Sequence, residues 1–442
     1  MAQQAAGMAV TGLGSAPLDH LVQQLWQRQV DRGTVRVVVD PAPDPTWRDA
    51  ESYWVLPGPA TARLLVPAAG RKPAAASLHN YGRLRPWKTR VAREFLAAAT
   101  LAGLVPGRGR LSVQVRTGAE GDRVAAGLPL AVISSQLGRG PGPRGRLYCS
   151  MGIRTGDNRK PTLQLIDGAG NPAGYAKLAW NAGSSEFIET ETAVLSSVGP
   201  RRSAMRAPEL LCSGTQGGFP FLVTAPLPAD VRAVRGAVAA PTPAELYSLC
   251  PVERVDTVAS TRHFQALLDR LATLSAAPGG ASGGASGGAL AASTGSLAAA
   301  VRGRDARLPV GARWHGDLVP WNTARDSAGQ LWCWDWESAE ADAAAGLDAV
   351  HWMFSVRREN RSGAVARNLQ AAVNDAHLHL HAAGVRRDNW PDLAGIYALV
   401  VAERAWTLAA AQGSWANAWI SKAELVDLVD SARKWIDAVS HR

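Results

Sequence analysis

Three residues in the stretch 313–337 (RWHGDLVPWNTARDSAGQLWCWDWE) combine types and spacings that can do chemistry: Asp317, Asn322 five positions later, and Asp335. A short apolar strand over 331–334 delivers Asp335 at its end. Phosphoryl transfer needs this division of labour. One carboxylate orients an acceptor hydroxyl and takes its proton. An amide oxygen and a second carboxylate hold the magnesium that bridges the phosphates, an ion content with one or two carboxylates plus substrate oxygens. The competing reading, in which Asp and Asn merely cap turns, leaves the spacing to coincidence.

The segment resembles the aminoglycoside-phosphotransferase and choline-kinase group of kinase-like enzymes. His315-Gly316-Asp317 with Asn322 is similar to that group's HGDxxxxN loop, Asp335-Trp336-Glu337 to its metal-binding acid and following Glu, and Gly346-Leu347-Asp348 to its usual continuation. The resemblance implies Asp317 as catalytic base, Asn322 and Asp335 as magnesium ligands, Glu337 as a supporting carboxylate, and His315 as a brace for the loop backbone. It also implies ATP as phosphoryl donor and a small-molecule hydroxyl as acceptor. Upstream, Lys177 lies in an expected strand (GYAKLAW) where the group keeps its phosphate-binding lysine, and Glu191 in the next helix would pair with it. A strand lysine facing inward needs such a partner, because an isolated buried ammonium gives up its charge. Glu189 and Glu186 are weaker alternatives. Residues 152–160 would cover the phosphates, beginning at Gly152 and including Arg154, Arg159 and Lys160. Residues 224–227, with Thr224 and Pro226, would form a hinge whose backbone binds adenine.

The expected fold is α+β: a bilobal, protein-kinase-like arrangement with a small antiparallel-sheet lobe over 146–228 and a mainly helical large lobe over 229–442. An additional α+β domain of unknown role is expected over 21–137, after a frayed tail (1–20) and before a Gly/Pro/Arg linker at 138–145. Short strands are expected at 35–39, 53–56, 63–66, 111–115 and 128–133, with a helix over 89–104. Strands at 147–153, 162–167 and 174–180 read as a meander separated by turn-rich segments, followed by a helix capped by Ser184 or Ser185. Phe264, Leu267, Leu268, Leu271 and Leu274 mark an amphipathic helix. The Gly/Ser/Ala tract that follows reads as a flexible insert over 276–297, and helices are expected near 346–357, 363–384, 392–412 and 421–439.

Composition narrows the setting. The 442 residues are 47% hydrophobic and 19% charged, as in soluble globular proteins. The four cysteines are scattered, with no metal-ligand spacing, which fits a reducing cytoplasm. Neither a secretory signal nor an apolar run long enough to span a bilayer is expected. The net charge of +10 falls wholly within residues 1–150 and is densest at Arg83, Arg85, Lys88, Arg90 and Arg93, around Trp87. That cluster is either a solvated helix face or a surface for anionic lipid or a phosphorylated ligand. No nucleic-acid-binding motif accompanies it. His377, His379 and His381 read as a packed or solvated cluster rather than a zinc site. Trp332, Trp334 and Trp336 read as one strand face, for core packing or for stacking a ring. Two rival readings stay in view: a nucleotide-binding regulator without turnover, and an envelope-associated adaptor working through its basic third.

Overall fold

Val35 and Val37 alternate inward along one strand and meet Leu111, Val113 and Val115 of its partner, all nearly inaccessible to solvent. From this pair grows a nine-stranded sheet. Val35–Val39 lies beside Arg110–Arg116, followed in order by Trp47–Leu56, Leu64–Pro67, Leu147–Gly152, Thr162–Asp167, Pro172–Leu178, Phe219–Thr224 and Leu210–Gln216. Every neighbouring pair is antiparallel. The computed structural model describes residues 13, 15–79, 84–140, 142, 145–153, 160–199, 203–276, 285–360, 364–416 and 418–440. The chain is mixed α+β and divides into two units, Met1–Pro200 with Pro208–Arg232, and Arg201–Ala207 with Ala233–Arg442.

In the first unit, Leu64 and Leu65 pair with Gly152 and Met151. The sheet therefore runs without a break from the N-terminal strands into the meander. Helix Ala16–Leu25 and helix Pro129–Gln136 supply Leu18, Leu21, Leu25 and Ile133 to one apolar cluster; Arg71–His79 and Trp87–Leu101 supply Ala74, Leu78 and Ala97 to another. The expected strand over 128–133 is a helix. Pro129 at its first turn lacks an N–H that a strand ladder would use and a helix start does not need, and a short apolar run cannot by itself separate the two states. Helix Ala182–Val198 begins one turn earlier than expected. Asn181 is its cap: the Asn181 side chain accepts from the Ser184 N–H at 2.8 Å, while the Ser184 Oγ accepts from the Asn181 N–H at 3.0 Å.

The second unit holds a three-stranded antiparallel sheet (Val252–Thr257, Arg307–Trp314, Glu340–Ala344) and a hairpin of Thr323–Arg325 with Leu331–Cys333. Helix Trp390–Ala411 is largely apolar because it runs through this unit's core, where Leu393, Ile396, Tyr397, Leu399 and Ala405 are almost fully buried. A Cβ on Gly395 would stand 2.9 Å from Val301 and 3.0 Å from Ile436, so the lack of a side chain lets helices Ala285–Gly303 and Lys422–Ser440 close on it. The flexible insert expected over 276–297 is mostly ordered. Ala276 ends helix Arg262–Ala276 and residues 285–297 belong to Ala285–Gly303, while 277–284 lie outside the described residues. Composition misled here: Leu290, Leu297 and Val301 repeat at helical spacing and are fully buried. The tryptophan stripe also breaks. The strand ends at Cys333, and Asp335 adopts φ 65°, so Trp336 enters a 3-10 turn and is buried. His379 turns its Nε2 to the Pro241 carbonyl at 2.6 Å and His377 its Nδ1 to the Asn374 carbonyl; among the described residues no metal-ligand group forms around them.

Candidate active site

Strand Arg307–Trp314 delivers the chain into a loop with little freedom. Gly316 sits at φ 82°, and a Cβ there would lie 2.0 Å from the Ser338 carbonyl, so only glycine fits. Asp348, buried at the start of helix Leu347–Glu359, accepts from the backbone N–H of His315 at 2.8 Å and of Gly316 at 3.1 Å. Arg404 donates to the Gly316 carbonyl at 2.5 Å. Two residues from distant elements thus hold three consecutive peptide groups.

His315 is fully buried against Trp336, ring centroids 4.3 Å apart. Its Nδ1 accepts from the Asp317 N–H at 3.3 Å, which leaves Nε2 to donate to the Trp334 carbonyl at 3.1 Å. Burial lowers its pKa and outweighs the neighbouring carboxylates, in keeping with that neutral tautomer. The imidazole ties the Asp317 segment to the one preceding Asp335.

Asp317 keeps 41% of its side chain exposed. The Asn322 Nδ2 donates to its Oδ2 at 2.9 Å and to its backbone carbonyl at 3.0 Å. Its Oδ1 faces His351 Nε2 at 3.3 Å, and His351 Nδ1 lies 2.9 Å from the buried Tyr397 hydroxyl. Burial works to raise the Asp317 pKa, but the bond and charge of His351, with Arg404 behind, hold it at about 2. The Trp334 N–H donates to the Asn322 carbonyl at 3.1 Å, which fixes Asp335 immediately after a residue bonded to Asn322. A carboxylate oxygen of Asp335 and one of Glu337 lie within 4.8 Å of each other.

In the first unit, Lys177 on strand Pro172–Leu178 reaches both oxygens of Glu191 on helix Ala182–Val198, at 2.6 and 2.8 Å. Glu191 is 2% exposed, so the pair is desolvated and neither Glu189 nor Glu186 takes that place. Gly152 ends its strand opposite Leu64. Thr224 ends its own strand opposite Tyr175, two positions from the Leu222–Lys177 pair, and Pro226 follows. Lys160 places its ammonium 4.2 Å from the Phe187 ring centroid. Arg154 and Arg159 lie outside the described residues.

The chain is similar to a solved aminoglycoside phosphotransferase from Alicyclobacillus acidocaldarius subsp. acidocaldarius DSM 446. Identity is 16%, over 66% of this chain and 93% of that one, with a TM-score of 0.31. No protein-family model matches the chain. No curated protein matches it.

Sequence reasoning placed 315, 317, 322 and 335 in one loop system but missed the roles of Asp348, His351, Tyr397 and Arg404. Asp348 and His351 share one helix face at i, i+3, a spacing that could have flagged them. Tyr397 and Arg404 come from a helix whose pattern signals only burial.

Proposed function

We propose that the protein is an ATP- and magnesium-dependent phosphotransferase acting on a hydroxyl of a small molecule, with the two-lobed organisation expected of kinase-like enzymes. One observation carries this reading: a partly exposed carboxylate, Asp317, held ionised near neutrality, whose two oxygens are aimed by Asn322 and His351. Those bonds leave the outward lone pairs of Asp317 for an acceptor O–H, which it would orient and relieve of its proton as the phosphoryl group transfers. The donor set suits magnesium. Asn322 uses its amide nitrogen on Asp317, so its carbonyl oxygen remains a hard donor, and Asp335 with Glu337 adds carboxylate oxygens. When bound, the ion would neutralise charge on the phosphates. Lys177, fixed by Glu191, would contact them as a localised cation.

The test is release of ADP by the full chain with a panel of sugars, amino sugars and aminoalcohols. Release should require magnesium and one class of acceptor. Lys177→Ala should raise the KM for ATP on the order of tenfold or more. A cooperatively melting protein that releases no ADP with any acceptor, yet binds ATP, would favour the regulatory reading instead.

We also propose that helix Trp87–Leu101 meets an anionic membrane surface. Trp87, Val91 and Phe95 follow one another at i, i+4, i+8 with 65%, 50% and 78% exposure, flanked by Arg85, Lys88 and Arg90. A basic helix with an aromatic stripe suits the lipid interface. Co-sedimentation with phosphatidylserine vesicles should be salt-sensitive, absent with phosphatidylcholine alone, and lost in Trp87→Ser/Phe95→Ser. Equal binding to both lipids would overturn it.

A further inference from the structure

Strand Trp47–Leu56 carries a β-bulge. Asp49 pairs with Gln114 and Glu51 with Val113, so Ala50 is the extra residue. The bulge reverses the facing of everything beyond it. Asp49 lies on the face where Arg110 and Gln114 hydrogen-bond to it, whereas Glu51 falls opposite Val113, on the side of the buried Val113, Leu111 and Tyr53. Without the bulge Glu51 would share the polar face with Asp49. Bulges re-aim side chains, often beside functional sites, and this one turns a carboxylate toward the apolar side of a sheet.

Glu51 lines a cavity of about 200 Å³ inside the first unit, beneath helix Pro129–Gln136. It is half-buried, the rest of its surface facing that space. Its described partner is the Tyr53 hydroxyl, which donates to it at 2.6 Å and lies 3.2 Å from the Cys149 sulfur. No described cation pairs with Glu51. The same cavity is bordered by Arg146, whose guanidinium rests 5.4 Å from the Tyr148 ring centroid, and by Arg48, already paired with Asp122 at 2.5 Å. Pro67, Leu128 and Leu130 complete it with apolar surface. A carboxylate with no counter-ion among the described residues, an arginine and an aliphatic wall thus share one space.

We propose that this cavity is a binding site for a small zwitterion of amino-acid size, its ammonium on Glu51, its anionic group toward Arg146 and its aliphatic part on Leu128 and Leu130. The volume holds on the order of ten water-sized groups, the scale of a metabolite with about ten heavy atoms. A partly desolvated carboxylate with no counter-ion among the described residues is costly, and an ammonium of the ligand removes that cost through a charge-assisted hydrogen bond. Desolvation pushes the Glu51 carboxyl up to about 7, with the Tyr53 hydrogen bond opposing it. Burial keeps Cys149 and Tyr53 protonated. Among the described residues, Arg48, Arg146 and Tyr148 are the other charged or titratable side chains that line the cavity, with Asp122 on Arg48. The ligand's ammonium favours the ionised form of Glu51, so affinity should fall as pH drops through 7 toward 6.

The experiment is calorimetric titration of the full chain with three probes: L-leucine, isoamylamine, which lacks the carboxylate, and 4-methylpentanoate, which lacks the ammonium. L-leucine should bind with a single site, and each truncated probe on the order of tenfold more weakly or worse. Glu51→Gln, an isostere that still accepts from Tyr53, should lose L-leucine binding and its pH dependence while melting cooperatively. Ala131→Phe, on the opposite wall, should exclude the ligand and leave Glu51 in place. Absence of L-leucine binding, unchanged binding in Glu51→Gln, or tighter binding of 4-methylpentanoate than of L-leucine would each overturn the proposal. None of these readouts depends on phosphoryl transfer.

Discussion

Asp317→Asn is expected to lower kcat by on the order of 10²–10⁴, the range a positioned acid–base group contributes, with little change in the KM for ATP. The substitution keeps shape and the contact with Asn322 but removes both the charge and the ability to take a proton. With its pKa held at about 2, Asp317 is a weak base in the resting site. It need not deprotonate the free hydroxyl. It orients the O–H and accepts the proton late, once bonding to the phosphoryl group has made the hydroxyl acidic. Asp317 stays ionised from about pH 4 upward, so any acid limb in the rate profile above that value belongs to another group. The same shift has a stability sign. A carboxylate whose folded pKa is depressed contributes stability above its unfolded value, near 4, and loses it as pH falls toward 2. The acid transition of Asp317→Asn should therefore be shallower in that window. Single-turnover kinetics with the best acceptor, beside pH-dependent melts, read both effects. Undiminished turnover in Asp317→Asn would remove the residue from the chemistry.

What could be read from the sequence follows from how local each signal is. The HGD segment, Asn322 and Asp335 lie within a single stretch, and the backbone bond from Trp334 to Asn322 is the kind of short-range closure that spacing anticipates. Lys177 and Glu191 were legible through the resemblance to the kinase-like group, and a strand followed directly by a helix brings the two within reach. His351, Tyr397 and Arg404 were not, since helical periodicity says which face is buried but not which neighbour it meets. The pairing of Leu64 and Leu65 with Gly152 and Met151 joins residues more than eighty positions apart, and no local pattern encodes that partner. The bulge at Ala50 escaped for the same reason. Strict alternation would have placed Glu51 on the face of Asp49, and only cross-strand register reveals the switch. At 276–297 the glycines and serines outweighed in composition what Leu290, Leu297 and Val301 decide by packing.

Asp348→Ala should destabilise the protein by about 4 kcal/mol, because it leaves two buried backbone donors without an acceptor at about 1–3 kcal/mol each. The His315 and Gly316 N–H groups are aimed inward by the geometry that makes Gly316 irreplaceable: φ 82° and the Ser338 carbonyl against its Cα. Water cannot readily take the carboxylate's place, since Asp348 is 3% exposed and His315 and Gly316 are buried. Asp348→Asn retains one acceptor oxygen and should lose about half as much. The functional consequence differs from that of Asp317→Asn. Arg404 still holds the Gly316 carbonyl, so the loop loosens rather than unfolds, and kcat should fall with the Asp317 carboxylate still ionised. Urea denaturation of both variants, read alongside turnover, separates the two roles. A loss below about 1 kcal/mol in Asp348→Ala would mean that the peptide groups find other acceptors, and that Arg404 and the His315 ring, rather than Asp348, set the loop.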